Sequence, residues 1–342
     1  YNATLHADDP YLKCDAIAQF DNSQSEPFMQ GSINQLHLAA GAIGNTLPHV
    51  DSAKAKGFDK LIAALQRDPS MELNFEQLQI AMHGTNLDNI NGFVACDKIK
   101  LLYKEDSLVN DRLRLTAMNQ EQFHKYILAS NIANASVESN YSILTVVDTL
   151  QNMAHNLFPS LVPSSKRAVK QNSTIAESNP EAYIKFNLST YHTRTLTKIL
   201  TPDMYLASNS TVSLDIRSNH EADQVDINLP LFVLRNKFRL HNFRLKGSTS
   251  DSKTLALQVN GDSVLVHVGQ GKLLFDQLDI KANASNDIIH YDLSWHNPFN
   301  ADENISNLMG LANLSHKDDI VIQLRPSISR SEERRVGKEC RS

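Results

Sequence analysis

The 342 residues carry 33 Lys and Arg against 38 Asp and Glu, a net charge of -5 with a pI near 6.2. That balance gives no general attraction to nucleic acid, which needs clustered cations to displace counterions. Without an apolar run near the roughly 18 residues of a membrane helix, no spanning helix is expected.

Residues 13–20 open the pattern, with Cys14, Ala16, Ala18 and Phe20 alternating against Lys13, Asp15 and Gln19, as a one-sided strand requires. Next comes a motif that recurs five times: an apolar residue, two polar residues, then an apolar, polar, apolar triplet. It occupies residues 33–38, 75–80, 96–101, 240–245 and 275–280. Apolar residues three apart cannot share a face of a regular strand unless an extra residue bulges out between them. Each motif therefore reads as strand, bulge, strand, a device that curls a sheet while keeping one face apolar. Leu36, Leu38, Leu78, Ile80, Ile99, Leu101, Phe243, Leu245, Leu278 and Ile280 follow the five bulges and are expected to face one common apolar interior. Ordinary sandwich strands with accidental slips are the alternative.

Between and beyond the motifs, strands are expected at residues 71–82, 93–101, 111–116, 126–137, 182–188, 211–216, 225–233, 238–246, 254–259, 264–268, 272–282, 288–293, 305–314 and 320–324. Asn260-Gly261-Asp262 and Gly269-Gln270-Gly271 read as hairpin turns, so the strands should pair in chain order as a meander. Three helices interrupt them. Residues 58–66 present Phe58, Leu61, Ile62 and Leu65 at helical spacing and stop before Pro69. Residues 145–158 begin with Thr145-x-x-Asp148, carry Val146, Val147, Leu150, Ala154 and Leu157 on one stripe, and stop at Pro159. A short helix over 194–200, with Leu196, Ile199 and Leu200 inward, ends before Pro202.

The reading is a mainly β chain: an elongated, curled antiparallel meander forming a groove, with a few short amphipathic helices. Residues 163–180, rich in Pro, Ser and polar side chains without apolar period, read as a linker between modules at 1–162 and 181–329. Residues 330–342 resemble a translated sequencing adapter and are set aside from the fold. Without that tail, Lys and Arg fall to 28, Asp and Glu to 35, and the net charge to -7. Deleting it should change stability by less than about 1 kcal/mol, as thermal unfolding will show, because only Val336 is apolar enough to bury. Two cysteines remain, Cys14 and Cys96, too few to staple a domain of this size and read as small apolar strand positions.

No Cys or His spacing suits zinc; His290 and His296 are the closest suggestive pair. There is no glycine-rich phosphate loop and no G-x-S-x-G elbow, and the carboxylates sit at polar strand positions or turns. No enzyme, cofactor or metal is expected. The chain begins at Tyr1 and is expected to be a processed or internal piece of a longer protein.

Two stretches carry a resemblance. Residues 83–99, from His83-Gly84-Thr85-Asn86 through Leu87-Asp88-Asn89-Ile90-Asn91-Gly92 to Ile99, followed by Asp111-Arg112-Leu113-Arg114-Leu115 and Ser130-Asn131-Ile132-Ala133-Asn134-Ala135, resemble the middle region of the TamB family, the translocation and assembly module proteins, in its Bacteroidetes form. Residues 196–206, Leu196-Thr197-Lys198-Ile199-Leu200 running through Thr201-Pro202-Asp203 into Met204-Tyr205-Leu206, look like the helix-to-strand start of that family's next segment. The resemblance implies an interior, periplasmic segment of a large AsmA-like protein. It implies an inner-membrane anchor and an outer-membrane barrel partner, both engaged through regions outside this chain. It also implies a β-taco whose apolar groove takes phospholipid acyl chains toward the outer membrane and supports outer-membrane assembly. Burying methylenes at about 0.8 kcal/mol each favours such a groove. The alternative expectation is a structural or adhesive β protein with a closed core. A membrane barrel ranks last, since aromatics are only 7% and form no girdles.

Overall fold

The computed structural model describes residues 1–23, 26–44, 49–50, 63, 66, 70–103, 106–120, 123–140, 183–200, 203–217, 223–235, 237–249, 253–268, 271–296, 305–313 and 321–326. It also describes residues 142, 148, 151–152, 155, 158–160 and 162. These residues form one open antiparallel sheet of nineteen strands. In chain order they are β1 (Asn2–Asp8), β2 (Leu12–Asp21), β3 (Phe28–Leu38), β4 (Glu72–His83), β5 (Asn91–Tyr103), β6 (Asp106–Asn110), β7 (Leu113–Gln120), β8 (Phe123–Ser130), β9 (Ala133–Ser139) and β10 (Tyr183–Thr190). There follow β11 (Met204–Leu206), β12 (Thr211–Arg217), β13 (Gln224–Leu234), β14 (Phe238–Thr249), β15 (Leu255–Val268), β16 (Gly271–Ser285), β17 (Ile288–His296), β18 (Ile305–Asn313) and β19 (Val321–Pro326). Two short helices, α1 (Ala40–Gly44) and α2 (Arg194–Leu200), sit between strands at one margin of the sheet.

The strands run as a meander. β6 and β7 share the flank of β5, β11 and β12 share that of β13, β10 pairs with β9 and β12, and the other strands pair with their neighbours in sequence. β9 and β10 pair directly over seven residues, so the sheet continues unbroken across the interval between them. No described pairing joins β1 to β19, and both edges stay open.

The bulges are visible in the register. β2 alternates without a slip, while β3 places Leu36 opposite Cys14 and Ile33 opposite Ala16. Cys14 and Ala16 lie two apart on one face, so their partners, three apart, also share a face, and the extra residue is absorbed at Asn34 and Gln35. The slip then continues in phase: Leu36 pairs with Phe75 and Phe75 with Ile99, while Ile33 pairs with Leu78 and Leu78 with Cys96. At the other end β17 measures the same insertion in β16, where Asp276 and Asp279 face His296 and Ser294. Gln77, Asn242 and Gln277, each third in its motif, have φ of 52°, 46° and 48°, a conformation uncommon outside glycine.

These insertions line up across neighbouring strands. Asn34, Gln77 and Asp97 stand opposite one another in β3–β5, and Pro230, Asn242, Asp262 and Gln277 do so in β13–β16. Each line is a crease across the strands, bending the sheet without turning its apolar side outward. Pro230 fits there because a bulge needs no ladder N–H, and Asn242 Nδ2 donates to Asp262 Oδ2 at 2.6 Å across the second crease. A Gln77→Gly change should leave stability unchanged or raise it by up to about 1 kcal/mol, whereas Gln77→Val should lower it, because β-branching is strained at positive φ; urea unfolding of both variants checks this.

Several expectations need correction. The segment read as one strand over 126–137 is a hairpin, β8 and β9, turned at Asn131 and Ile132. Ser130 Oγ donates to the Ala133 carbonyl and accepts from the Ala133 N–H, so hydroxyl and amide side chains make the turn without Gly or Pro. Conversely, Asn260-Gly261-Asp262 is not a turn: β15 runs straight through it as one 14-residue strand. Gly261 lies at the second crease, where a Cβ would meet Val264 Cγ2 at 3.1 Å. β1, β6 and β11 were not expected. Of the helix expected at 58–66, Ala63 and Gln66 are helical, and of that at 145–158, Asp148, Gln151, Asn152 and His155 are helical; their other residues lie outside the described ones. α2 spans the expected 194–200. Residues 163–180 and 330–342 also lie outside the description.

Candidate functional site: a continuous apolar face

Cross-strand partners in a sheet point to the same side, so the register can be followed from strand to strand. From Ala3 in β1 the row passes through Ala18, Gly31, Ile80 and Val94 to Leu115 in β7. It continues through Leu128, Ala135, Leu188 and Val212 to Ile227 in β13. Leu245, Val259, Ile280, Leu293 and Leu308 complete it to β18. Not one polar side chain interrupts the row. Two residues along each strand runs a parallel row, from Phe20, Met29 and Met82 through Phe186, Leu214 and Val225 to Tyr291 and Gly310, whose only hydrogen-bonding side chains are Tyr126 and Tyr291.

The opposite face has the opposite chemistry. Between the two rows, the alternate positions are largely polar, including Gln19, Gln30, Thr116, Ser136, Asn187, Ser213, Asp226, Lys246, Gln258, Lys281 and Asp292. Lys125, Glu138, Lys185 and Asp215 form a rung of alternating charge on that face. Lys125 Nζ lies 2.9 Å from Glu138 Oε2 and holds that carboxyl below its ordinary range, helped by the Tyr183 O–H, which donates to Glu138 Oε1 at 2.9 Å. Burial, then the Glu138 charge, pushes the Tyr183 phenol up to about 12, so it stays a donor. A depressed glutamate contributes stability above its unfolded value of about 4.5, lost as pH falls through the folded value. Lys125→Met should therefore flatten this acid dependence and cost under about 1 kcal/mol at neutral pH, measured by denaturation from pH 3 to 7, because the pair is partly exposed.

All ten residues singled out from the sequence lie on the apolar face. Ile80, Leu245 and Ile280 belong to the first row, and Leu78, Phe243 and Leu278 sit two residues away on the same strands. Leu36 and Ile99 join them through the pairing across the first crease, as do Leu38 and Leu101 one step further along. Leu278 is buried, at 7% exposure; the other nine are half-buried. Sequence reasoning missed the middle of the face, Leu115, Leu128, Leu188, Val212 and Ile227, because β7, β8, β10 and β12 carry no bulge and the insertion in β13 falls at Pro230, outside the motif. Their signal was plain alternation, as in Leu113, Leu115 and Ala117.

Coverage of the face varies. Near the first edge it is open, with Leu5, Phe20 and Met29 at 55%, 41% and 42% exposure, and Leu115 is 40% exposed in β7. Ala40 of α1 and Met71 pack on Leu38, Leu73, Leu101 and Leu108 at one margin. At the other margin Ile184, Ile216 and Ala284 are fully buried. Aromatic side chains gather beyond the second crease, where Phe232 packs on Phe238 and Phe275 meets Trp295 edge-on at 5.7 Å. Among the described residues no aromatic side chain is fully buried, unlike a sealed sandwich core.

Cys14 and Cys96 are free and buried on this face; burial raises the Cys96 thiol above its ordinary range. Among the described residues no group of three His, Cys, Asp or Glu is placed to hold a metal ion, and no helix is long and apolar enough to cross a membrane. No protein-family model, curated protein or solved structure matches this chain.

Proposed function

We propose that the apolar face is a trough for hydrocarbon chains, and that the protein is an interior, periplasmic segment of a TamB-like bridge that carries phospholipid toward the outer membrane and supports its assembly. The observation that carries this reading is the unbroken apolar row from β1 to β18. At about 4.8 Å per strand it extends some 70 Å along the hydrogen-bonding direction, too long for a pocket holding one small ligand. Each methylene moved from water onto it gains about 0.8 kcal/mol, and an uninterrupted row presents the same favourable surface at every step. The protein acts on no bond in this reading and needs no cofactor. A barrel partner and a membrane anchor would engage through other regions.

Half-burial supports a trough over a structural β protein with a closed core, because a row sealed between two layers would be buried throughout. Trp295 supplies the test, being the sole tryptophan and lying on the face. Phospholipid brominated in its acyl chains should quench its fluorescence, and the same lipid brominated only in its headgroup should not. Equal fluorescence with and without the chain-brominated lipid contradicts the reading.

A further inference from the structure

We infer that a basic rim along one margin of the trough holds the phosphate of a phospholipid, so that lipids lie across β13–β16 in a single orientation, an inference that rests on the trough reading above. The turns Arg235-Asn236-Lys237 and Gly269-Gln270-Gly271 both lie at this margin. Arg235, Lys237, Arg239 and Lys272 are exposed there, against the one carboxylate of Asp203 among the described residues of the rim, in a chain whose net charge is -5. Backbone bonds fix the cations side by side. The Arg235 N–H donates to the Asp203 carbonyl at 2.7 Å, and the His267 N–H donates to the Lys237 carbonyl at 2.8 Å, tying the first turn to the strand that leads into the second. Arg235 Nη1 lies 3.8 Å from Asp203 Oδ1, an exposed pair weak enough for a phosphate oxygen to displace.

Directly beside these cations, Leu234, Phe238, Val266 and Leu273 pair in register as the outermost row of the apolar face. Leu273 is 51% exposed, so aliphatic surface and positive charge meet in water at the rim, as acyl chains and phosphate do in a phospholipid. From Leu273 to Ile280 the face runs about 20 Å along β16 at about 3.3 Å per residue, with one residue absorbed in the bulge. That exceeds the half of a roughly 30 Å hydrocarbon core that one chain fills. The opposite margin has the wrong chemistry for a phosphate. Ile184, Ile216 and Ala284 are covered there, and Asp223 and Asp287 are buried at 1% and 4% exposure, Asp287 accepting from both the N–H and the O–H of Ser160. Like charges brought together out of water repel. Arg217 and Lys253 also lie at that end, but the apolar surface beside them is covered.

The test is a titration of the full chain, read by Trp295 fluorescence, with two lipids of identical short acyl chains: phosphatidylglycerol, and diacylglycerol, which lacks the phosphate. Phosphatidylglycerol should bind about tenfold tighter, an advantage that shrinks between 50 and 500 mM NaCl. Lys237→Glu combined with Lys272→Glu should weaken phosphatidylglycerol about tenfold and leave diacylglycerol unchanged. Inorganic phosphate at the same concentration should not displace the lipid; displacement would make the rim a free-anion site and overturn the inference. Equal affinities for the two lipids, or a double variant that weakens both alike, also overturn it while leaving the trough reading intact. Binding of neither lipid defeats both.

Discussion

Aspartate at Ile80 and Leu115 together should reduce the lipid retained by the protein at least about tenfold while leaving it folded. Both residues belong to the uninterrupted row, three strands apart in the chain, and Leu115 is 40% exposed. A carboxylate in the path forces each passing chain to leave the apolar surface beside a charge, and tenfold corresponds to only about 1.4 kcal/mol. Because neither site is sealed, solvent still reaches the new carboxylates, and the folding cost should stay below about 2 kcal/mol. Leu278→Asp behaves differently: at 7% exposure the charge is buried, and the variant should lose several kcal/mol and accumulate poorly. Lipid retention and urea unfolding, measured on the same preparations, separate the two outcomes. Retention equal to the parent in the folded double variant would count against the trough.

The second large effect concerns the β4–β5 hairpin. Gly92 has φ of 130°, and a Cβ there would overlap the Ala81 carbonyl oxygen on the paired strand. Gly92→Ala must therefore distort backbone rather than a side chain, and should cost about 3 kcal/mol or more. Gly84, with φ of 103°, faces the Asn89 backbone across the same turn. Asn89 Oδ1 accepts from the N–H groups of Thr85 and Asn86, and Ser142 Oγ donates to Asp88 Oδ2, so the turn is tied from several directions. A melting temperature for Gly92→Ala within about 2 °C of the parent would contradict this account.

The bulged strands were legible because an apolar pair three apart inside a period-two pattern has few explanations, and the register slips at Asn34 and near Gln277 are what it demands. The crease through β13 and β15 was not legible. Leu229-Pro230-Leu231-Phe232 hides the spacing behind an apolar residue at its third position, and Gly261 looks the same whether it serves a turn or a bulge. The hairpin at Asn131 was missed for the converse reason, since Ser130 and Asn131 do by hydrogen bonding what glycine usually signals. The continuous row could not be read from any single segment. Ala135 and Gly31 are unremarkable alone, and become part of one surface only once pairing sets them beside Leu188 and Ile80.

Photocrosslinking along that row tests the central claim most directly. A photoreactive amino acid placed singly at Ile80, Leu128, Ile227 and Ile280, one site in each quarter of the face, should capture phospholipid at all four, while Gln79, Ser136, Asp226 and Lys281 on the polar face should capture none. Crosslinks confined to one quarter, or found equally on both faces, would contradict a continuous apolar path.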